Sequence, residues 1–473
     1  MIDLLSERVG SRVVSCNDEF FAPATNLIQV ADPVWREGEY TDRGKWMDGW
    51  ETRRRREPGH DWCVLALGIP GRVREVTVDT SFFTGNYPEE FSLEGAGVGD
   101  PEMADWVELI PRTRLEGDSV ATFQTESPYR LEMVRLNIFP DGGVARLRME
   151  GDPIPGLGEV CPDGSIDLAS STVGGEIVDA SDLHYSHPAN CLRPTDPAGM
   201  WDGWETRRRR DQGHDWIVVR LGLPGIVEQL VVDTTHFKGN APGWVTAQVS
   251  RDGGDEWLEV VSRVAVRADH VNRVDLETPV RARFVRLAIH PDGGVARFRV
   301  LGRPDGDVAV SRALEYVDSL FDQPARGLLA TACRASRWVE RMARSRPFPD
   351  LEAMLAASES AFSTLAEQDW LEAFAAHPRI GERGDTLANR EQSGTASATR
   401  EMLRDLIEVN RSYEDKFGFT YIVYATGKSA SDMLEIARSR LGNSRSDEIE
   451  NAAAEQRKIT ATRLRRMLCA EMT

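Results

Sequence analysis

Hydrophobic and polar positions change their period once along the chain. WCVLALG (Trp62–Gly68) and VREVTVD (Val73–Asp79) are short runs rich in β-branched residues, split by Ile69-Pro70-Gly71. The same arrangement returns in WIVVRLG and VEQLVVD around Leu223-Pro224-Gly225, and YRLEMVRLNIF and ARFVRLAIH alternate before a PDGG turn. Period-two alternation sends successive side chains to opposite faces of a strand. Many short strands between Gly/Pro turns, without amphipathic helices among them, predict antiparallel β-sandwiches of jelly-roll type. Beyond Gly302–Arg312 the spacing of Leu314, Val317, Leu320 and Phe321 becomes helical. Asp369 before WLEAF, with Glu372 three positions on, reads as an N-cap, as does Ser431 before DMLEIARSRL, which stops at Gly442. FGFTYIVYATGK (Phe417–Lys428) reads as an extended segment between helices. The predicted class is two antiparallel β-sandwich domains followed by an all-α domain.

The β region is an internal duplication. DGWETRRRR (Asp48–Arg56) recurs letter for letter at Asp202–Arg210, and GHDW follows it in both places, at Gly59 and Gly213. VDT-x-x-F-x-GN recurs at Val78–Asn86 and Val232–Asn240, and PDGGVAR closes each copy at Pro140–Arg146 and Pro291–Arg297. Two long copies are duplicated domains and not a solenoid. The expected boundaries are 1–155 and 156–303 for the repeats, a linker over 304–312, and a helical domain over 313–473.

Length and charge narrow the function. The chain has 473 residues, with 57 basic and 76 acidic side chains and a net charge of −19. That balance argues against nucleic acid or an anionic membrane as partner, and no apolar run approaches a membrane span. The six cysteines lie far apart without a CxxC pair, so neither a zinc cage nor a disulfide framework is expected. A cytoplasmic protein acting on small molecules, and a homo-oligomer, is expected.

Against so acidic a background the arginine runs stand out. If extended, each sends Arg53 and Arg55 to one face and Arg54 and Arg56 to the other. One pair suits a carboxylate or ureido oxygen and the other suits acids such as Asp61. A plain solvated basic face is the rival reading. Glu51 and Glu205, with Asp79 and Asp233, are candidates to polarise water or protonate a leaving group; neutralising the arginines is their structural alternative. Arg207, Arg208, His60, His214 and Asn240 complete the candidate binding set, although the histidines and Asn86/Asn240 also suit turns. The copies differ: Ser81-Phe82-Phe83-Thr84 faces Thr235-His236-Phe237-Lys238. His236 and Lys238 therefore direct catalysis to the second copy or its border with the first. His184, His187, His236 and Asp233 raise a divalent metal, but their spacing matches no ligand motif, and no cofactor is expected.

The stretch from Asn26 to Arg297 resembles allantoicase, a resemblance carried by both DGWETRRRR…GHDW and DT…GN signatures. It implies paired discoidin-like jelly rolls that hydrolyse allantoate to ureidoglycolate and urea. That substrate needs arginine for its carboxylate and a proton donor for the departing urea. The rest, about 311–473, resembles 2-oxo-4-hydroxy-4-carboxy-5-ureidoimidazoline (OHCU) decarboxylase through ACRASRWVERM, HPRIG, Glu391-Gln392, KFGF and AEQRKITATRLRRML. The resemblance implies His377 as acid/base beside the leaving carboxylate and Glu391 on the ureido or hydroxyl group. It also implies backbone groups around Tyr421, Ile422 and Val423 on the ring, and Arg463 on a carboxylate with Arg440 as rival. Where that family carries Trp-Ser, this chain has Leu387 and Ala388. The expected function is bifunctional ureide catabolism. The alternatives are an allantoicase with a structural C-terminal domain, or β repeats that only bind a ligand.

Overall fold

The computed structural model describes residues 2–97, 100–162, 164–377 and 400–470. The chain divides into two compact units, Met1–Leu320 and Phe321–Thr473. The first holds both repeats, each an antiparallel sheet built around one very long strand.

In repeat one that strand is Asp61–Asp79. The sheet runs Ile2–Asp3, Arg146–Pro153, Asp61–Asp79, Leu131–Phe139, Glu90–Ala96, Val107–Arg114, with Arg12–Cys16 and Val120–Gln124 also on the long strand. Repeat two follows the same order around Asp215–Asp233: Ile166–Asp167, Arg297–Pro304, the long strand, Val271–His290, Trp244–Ser250, Leu258–Ala265, with Glu176–Ala180 added. The expected turns at Pro70-Gly71 and Pro224-Gly225 are not turns. The strand continues through them with a shift of register, between Leu131 and Met133 on the partner in one copy and between Arg220 and Gly225 in the other. Proline and glycine there mark a bend between two sets of partners. Gly71 is needed because a Cβ would stand 2.4 Å from Asp152 O.

Alternation fills the interior. Val73, Val76 and Val78 of the long strand, Leu136 and Ile138 of its neighbour, and Trp50, Phe83 and Phe91 are fully buried in repeat one. Trp204, Phe237 and Phe298 serve repeat two. Each tryptophan still satisfies its indole N–H, Trp50 on Asp18 O at 2.8 Å and Trp204 on Asp182 O at 2.9 Å.

Residues 304–312 are not a linker. Pro304 ends the last strand, and helix Gly306–Ser319 packs on the first unit, with Arg72 3.7 Å from Glu315. Leu314 and Val317 are helical as expected, but they close the β unit and do not open the helical one.

The second unit is helical among its described residues: Asp322–Ala330, Ser336–Arg344, Leu351–Phe362, Glu367–Ala375, Arg400–Phe417, Ala430–Arg440 and Arg445–Met467. Trp338, Phe362, Phe374, Tyr413 and Tyr421 form its aromatic core. Two caps move from their expected places. Asp369 is the third residue of its helix, reaching back to Ala366 N at 2.8 Å. Ser429, not Ser431, caps the helix at Ala430–Arg440, in a box with Asp432. Residues 418–428 run between two helices without helix or strand, with a bend at 418–419 and a turn at 426–427, where an extended segment over Phe417–Lys428 was expected. No helix is long and apolar enough to cross a membrane among the described residues. Cys16, Cys63, Cys191 and Cys333 are free thiols.

Candidate functional site

The three repeated sequence blocks meet at one place in each repeat. The two-residue strand Trp50–Glu51 pairs with Gly143–Val144, setting the glutamate opposite the PDGG turn. Thr52 N donates to Gly142 O at 3.1 Å and Gly143 N to Asn86 O at 2.7 Å. Asn86 is thereby aimed at the glutamate, and its Nδ2 donates to Glu51 Oε1 at 2.7 Å. Repeat two repeats the geometry: Trp204–Glu205 pairs with Gly294–Val295, and Asn240 Nδ2 lies 2.7 Å from Glu205 Oε1. The second glycine of PDGG makes this approach possible, because a Cβ on Gly143 would lie 1.9 Å from the Phe83 ring. Burial pushes the Glu51 carboxyl above the usual carboxylate range, opposed by the Asn86 bond.

The arginines follow directly, and acids brace alternate members. Asp18 Oδ2 accepts from Arg53 Nε at 2.6 Å while its Oδ1 takes the Arg53 backbone N–H at 3.0 Å. Arg55 N donates to Asp141 Oδ2 at 2.8 Å, and Arg55 Nη1 to Asp61 Oδ1 at 2.6 Å. In repeat two, Asp182, Asp292 and Asp215 take the same places around Arg207 and Arg209. The expected pairing of Arg55 with Asp61 is therefore present. Arg54 and Arg208 are exposed. In repeat one the four arginines, with Asn17, Asp18, Glu57 and Asp61, line a cleft of about 520 Å³. The Arg of PDGGVAR is structural: Arg146 and Arg297 are each 2% exposed and bound to Asp48 and Asp202 at 3.0 and 2.7 Å.

Other candidates lie apart from the Glu–Asn pair or serve the backbone. His236 Nε2 is 2.9 Å from Pro197 O, and its backbone N–H goes to Asp269. Asp233 caps Thr235 N at 2.8 Å, as Asp79 caps Ser81. Lys238 is exposed and only 3.9 Å from Asp269. His187 Nδ1 accepts from Ala189 N. These bonds do not bring His184, His187, His236 and Asp233 together, and no group of three or more potential ligands is placed to hold a metal among the described residues. His60 stacks near Phe139 with centroids 4.8 Å apart, and His214 near His290 at 4.5 Å. Burial, with His214 and Arg263 nearby, lowers the His290 pKa to about 4.

In the helical unit His377 follows the cap of Glu367–Ala375, as the sequence indicates. Its Nε2 lies 2.7 Å from Gln456 Oε1, while Gln456 Nε2 donates to Thr460 Oγ1 at 3.1 Å. With the amide in that orientation, His377 Nε2 carries the proton. Gln456, Thr460 and Arg463 share one face of Arg445–Met467, and Arg463 reaches Ala332 O at 3.4 Å. Arg440, the rival, is committed elsewhere. It is buried against Glu448 and donates to Ile422 O at 2.8 Å. Tyr421, Ile422 and Val423 are buried in the 418–428 segment, the Tyr421 hydroxyl donating to Met433 O at 3.2 Å. Glu391, Leu387 and Ala388 lie outside the described residues.

Sequence reasoning did not single out Asp18/Asp182 or Asp141/Asp292 as braces, or Gln456 as the partner of His377. The acids of PDGG were visible as repeated letters, but a turn explained them. Gln456 lies within the AEQRKITATRLRRML stretch, but only tertiary packing brings it to His377.

Comparison with known proteins follows the same division. The allantoicase repeat model matches residues 2–154 and 166–305, and the OHCU decarboxylase model matches 318–465. A probable allantoicase of Pseudomonas aeruginosa is 43% identical over 318 residues, 64% of this chain and 96% of the relative. A crystal structure of allantoicase from Saccharomyces cerevisiae is 33% identical, with a TM-score of 0.55 over 64% of this chain and 92% of that one. A crystal structure of OHCU decarboxylase with (S)-allantoin is 33% identical over 29% of this chain and 95% of that one, with a TM-score of 0.28. Two allantoicase repeats and an OHCU decarboxylase domain account for nearly the whole sequence, and the chain belongs to the allantoicase family.

Proposed function

We propose that the β repeats hydrolyse allantoate to (S)-ureidoglycolate and urea, and that the helical unit decarboxylates OHCU to (S)-allantoin. The observation that carries the first half is the convergence of three repeated blocks on a Glu–Asn pair beside braced arginines. Hydrolysis breaks one bond from the central carbon to a ureido nitrogen and forms one from that carbon to a water oxygen. The arginines hold the substrate carboxylate. The carboxyl of Glu51 or Glu205 gives its proton to the departing urea nitrogen, and the resulting carboxylate takes one back from the attacking water. Burial keeps Glu51 protonated to a higher pH than a solvated glutamate, which suits that first transfer, and Asn86 holds the carboxyl in place. In the helical unit His377, oriented by Gln456, delivers a proton to the carbon that loses carbon dioxide. Neither reaction is routed through a cofactor in this reading, and both substrates suit an acidic cytoplasmic enzyme.

Urea release from allantoate tests the first half. Glu51→Gln and Glu205→Gln are expected to lower kcat by roughly 100- to 10,000-fold at the repeat that does the chemistry. Absence of urea from the wild-type chain would make the repeats a ligand-binding module. Decay of freshly generated OHCU, with His377→Asn as control, tests the second half. Normal decay with that variant would remove His377 from the reaction.

A further inference from the structure

The two arginine runs are identical in letters but not in state. In repeat two, Asp211 lays its carboxylate along one edge of Arg209, Oδ1 accepting from Nε at 3.0 Å and Oδ2 from Nη2 at 3.1 Å. Asp211 Oδ1 also accepts from Gly213 N at 2.9 Å, so the acid is fixed by the turn as well as by the guanidinium. The remaining nitrogen, Nη1, keeps Asp215 at 2.8 Å. Bidentate pairing of this kind is how arginine recognises a free carboxylate.

Repeat one has Glu57 where repeat two has Asp211. Glu57 does not make the fork. Arg55 keeps Asp61 through Nη1, but its Nε is buried with no hydrogen-bond partner, and Nη2 has none among the described residues. Arg54 and Arg56 beside it are exposed and unpaired among the described residues, and all three line the cleft. Asp61, 1% exposed, uses Oδ1 for both Arg55 and Asn17 and leaves Oδ2 without a partner, as Asp215 does in repeat two. Buried polar atoms are rarely left unmatched unless a further group completes them. Repeat one thus leaves unpaired the arginine edge that repeat two pairs from its own chain.

We propose that the repeat-one cleft is the carboxylate-binding site of the β unit, with the Nε/Nη2 edge of Arg55 as its seat, and that Asp211 occupies the matching seat of repeat two as a built-in ligand. The identification of the ligand as a ureido acid rests on the allantoicase reading. The assignment reverses the direction suggested by His236 and Lys238, since it places substrate capture in the copy with fewer histidines.

Isothermal titration of the full chain with ureidoacetate tests this. That probe carries a carboxylate and a ureido arm but lacks the carbon–nitrogen bond that would be cleaved. Arg55→Lys keeps the charge facing Asp61 but loses the fork, and is expected to weaken binding roughly ten- to hundredfold. Glu57→Asp, an exposed change, shortens the acid to match Asp211 and is expected to weaken binding as well. Asp211→Asn keeps the acceptor for Gly213 N, frees Arg209, and is expected to add one binding equivalent. Any binding in the helical unit is common to all variants and drops out of the comparison. Unchanged affinity in both repeat-one variants, or unchanged stoichiometry in Asp211→Asn, overturns the proposal. Urea release by the wild type separates the two readings. Urea with unaltered isotherms removes this proposal alone, while the expected isotherms without urea remove the hydrolase and keep the site.

Discussion

Replacing Arg440 with Met leaves Glu448 as an unpaired acid at 0% exposure. In the native structure Glu448 Oε1 accepts from Arg440 Nε at 2.6 Å and from the Tyr413 hydroxyl, while Oε2 takes Asn443 Nδ2 at 2.7 Å. Arg440 also loses its bond to Ile422 O, the anchor of the 418–428 segment. Breaking one partner of a buried ion pair costs about 3–5 kcal/mol, because the remaining charge stays in the interior. For a unit of this size that is a fall in Tm of roughly 6–20 °C. Following the far-UV helical signal during thermal unfolding measures it. Adding Glu448→Gln neutralises the orphaned acid and is expected to recover about 1 kcal/mol or more, a coupling that only direct partners show. OHCU decarboxylation, measured below the transition, is expected to survive in Arg440→Met and to fail in Arg463→Met. A variant that melts like wild type but has lost decarboxylation would refute the reasoning and make Arg440 the arginine that binds substrate.

Gly143→Ala and Gly294→Ala place a methyl 1.9 Å from the buried Phe83 and Phe237 rings; each is expected to cost roughly 3 kcal/mol of stability by urea titration and to abolish urea release from its repeat. His290 binds its proton near pH 4 in the folded chain against 6.5 when unfolded. The folded state therefore binds fewer protons across that window, and repeat two loses stability as pH falls from about 6.5 towards 4. His290→Phe, which copies Phe139 of repeat one, is expected to remove that dependence in denaturation curves taken at several pH values. Gln456→Leu frees the tautomer of His377 and is expected to lower kcat for OHCU roughly tenfold and shift its pH profile, with KM little changed; an altered KM at constant kcat would mean that Gln456 binds substrate instead.

The duplication and the change from β to helix were legible because both are patterns of the chain itself, long identical blocks and a shift of period. The long strands were not. Ile69-Pro70-Gly71 carries the letters of a turn, and only the neighbouring strands Leu131–Phe139 and Arg146–Pro153 show that the chain bends there without reversing. The caps at Ala366 and Ser429 lie a few residues from their expected places because Asp369, an acid at the third helical position, and Ser431, a serine at the second, both look in sequence like a cap at the start. Site residues divide in the same way. Glu51, Asn240 and the arginines were singled out through their repetition. His236 was favoured for its chemistry, yet it serves a loop through Pro197 O. A histidine's ability to transfer a proton is a property of the side chain, whereas its access to substrate depends on the fold.

The arginine runs show why identical letters need not mean identical work. Two of the four arginines in each copy are held by acids outside the run, Asp18 and Asp61 in one, Asp182 and Asp215 in the other. Those bonds fix the loop between the short Trp-Glu strand and the long strand, so bracing alone accounts for keeping the run in both copies. Whether a run also receives a ligand is decided one residue beyond it. An aspartate at 211 is short enough to turn back along Arg209 while capping Gly213, and a glutamate at 57 followed by Pro58 leaves Arg55 Nε unpaired. The repeated block then specifies the scaffold of the site, and the residue that follows it decides which copy has room for a carboxylate.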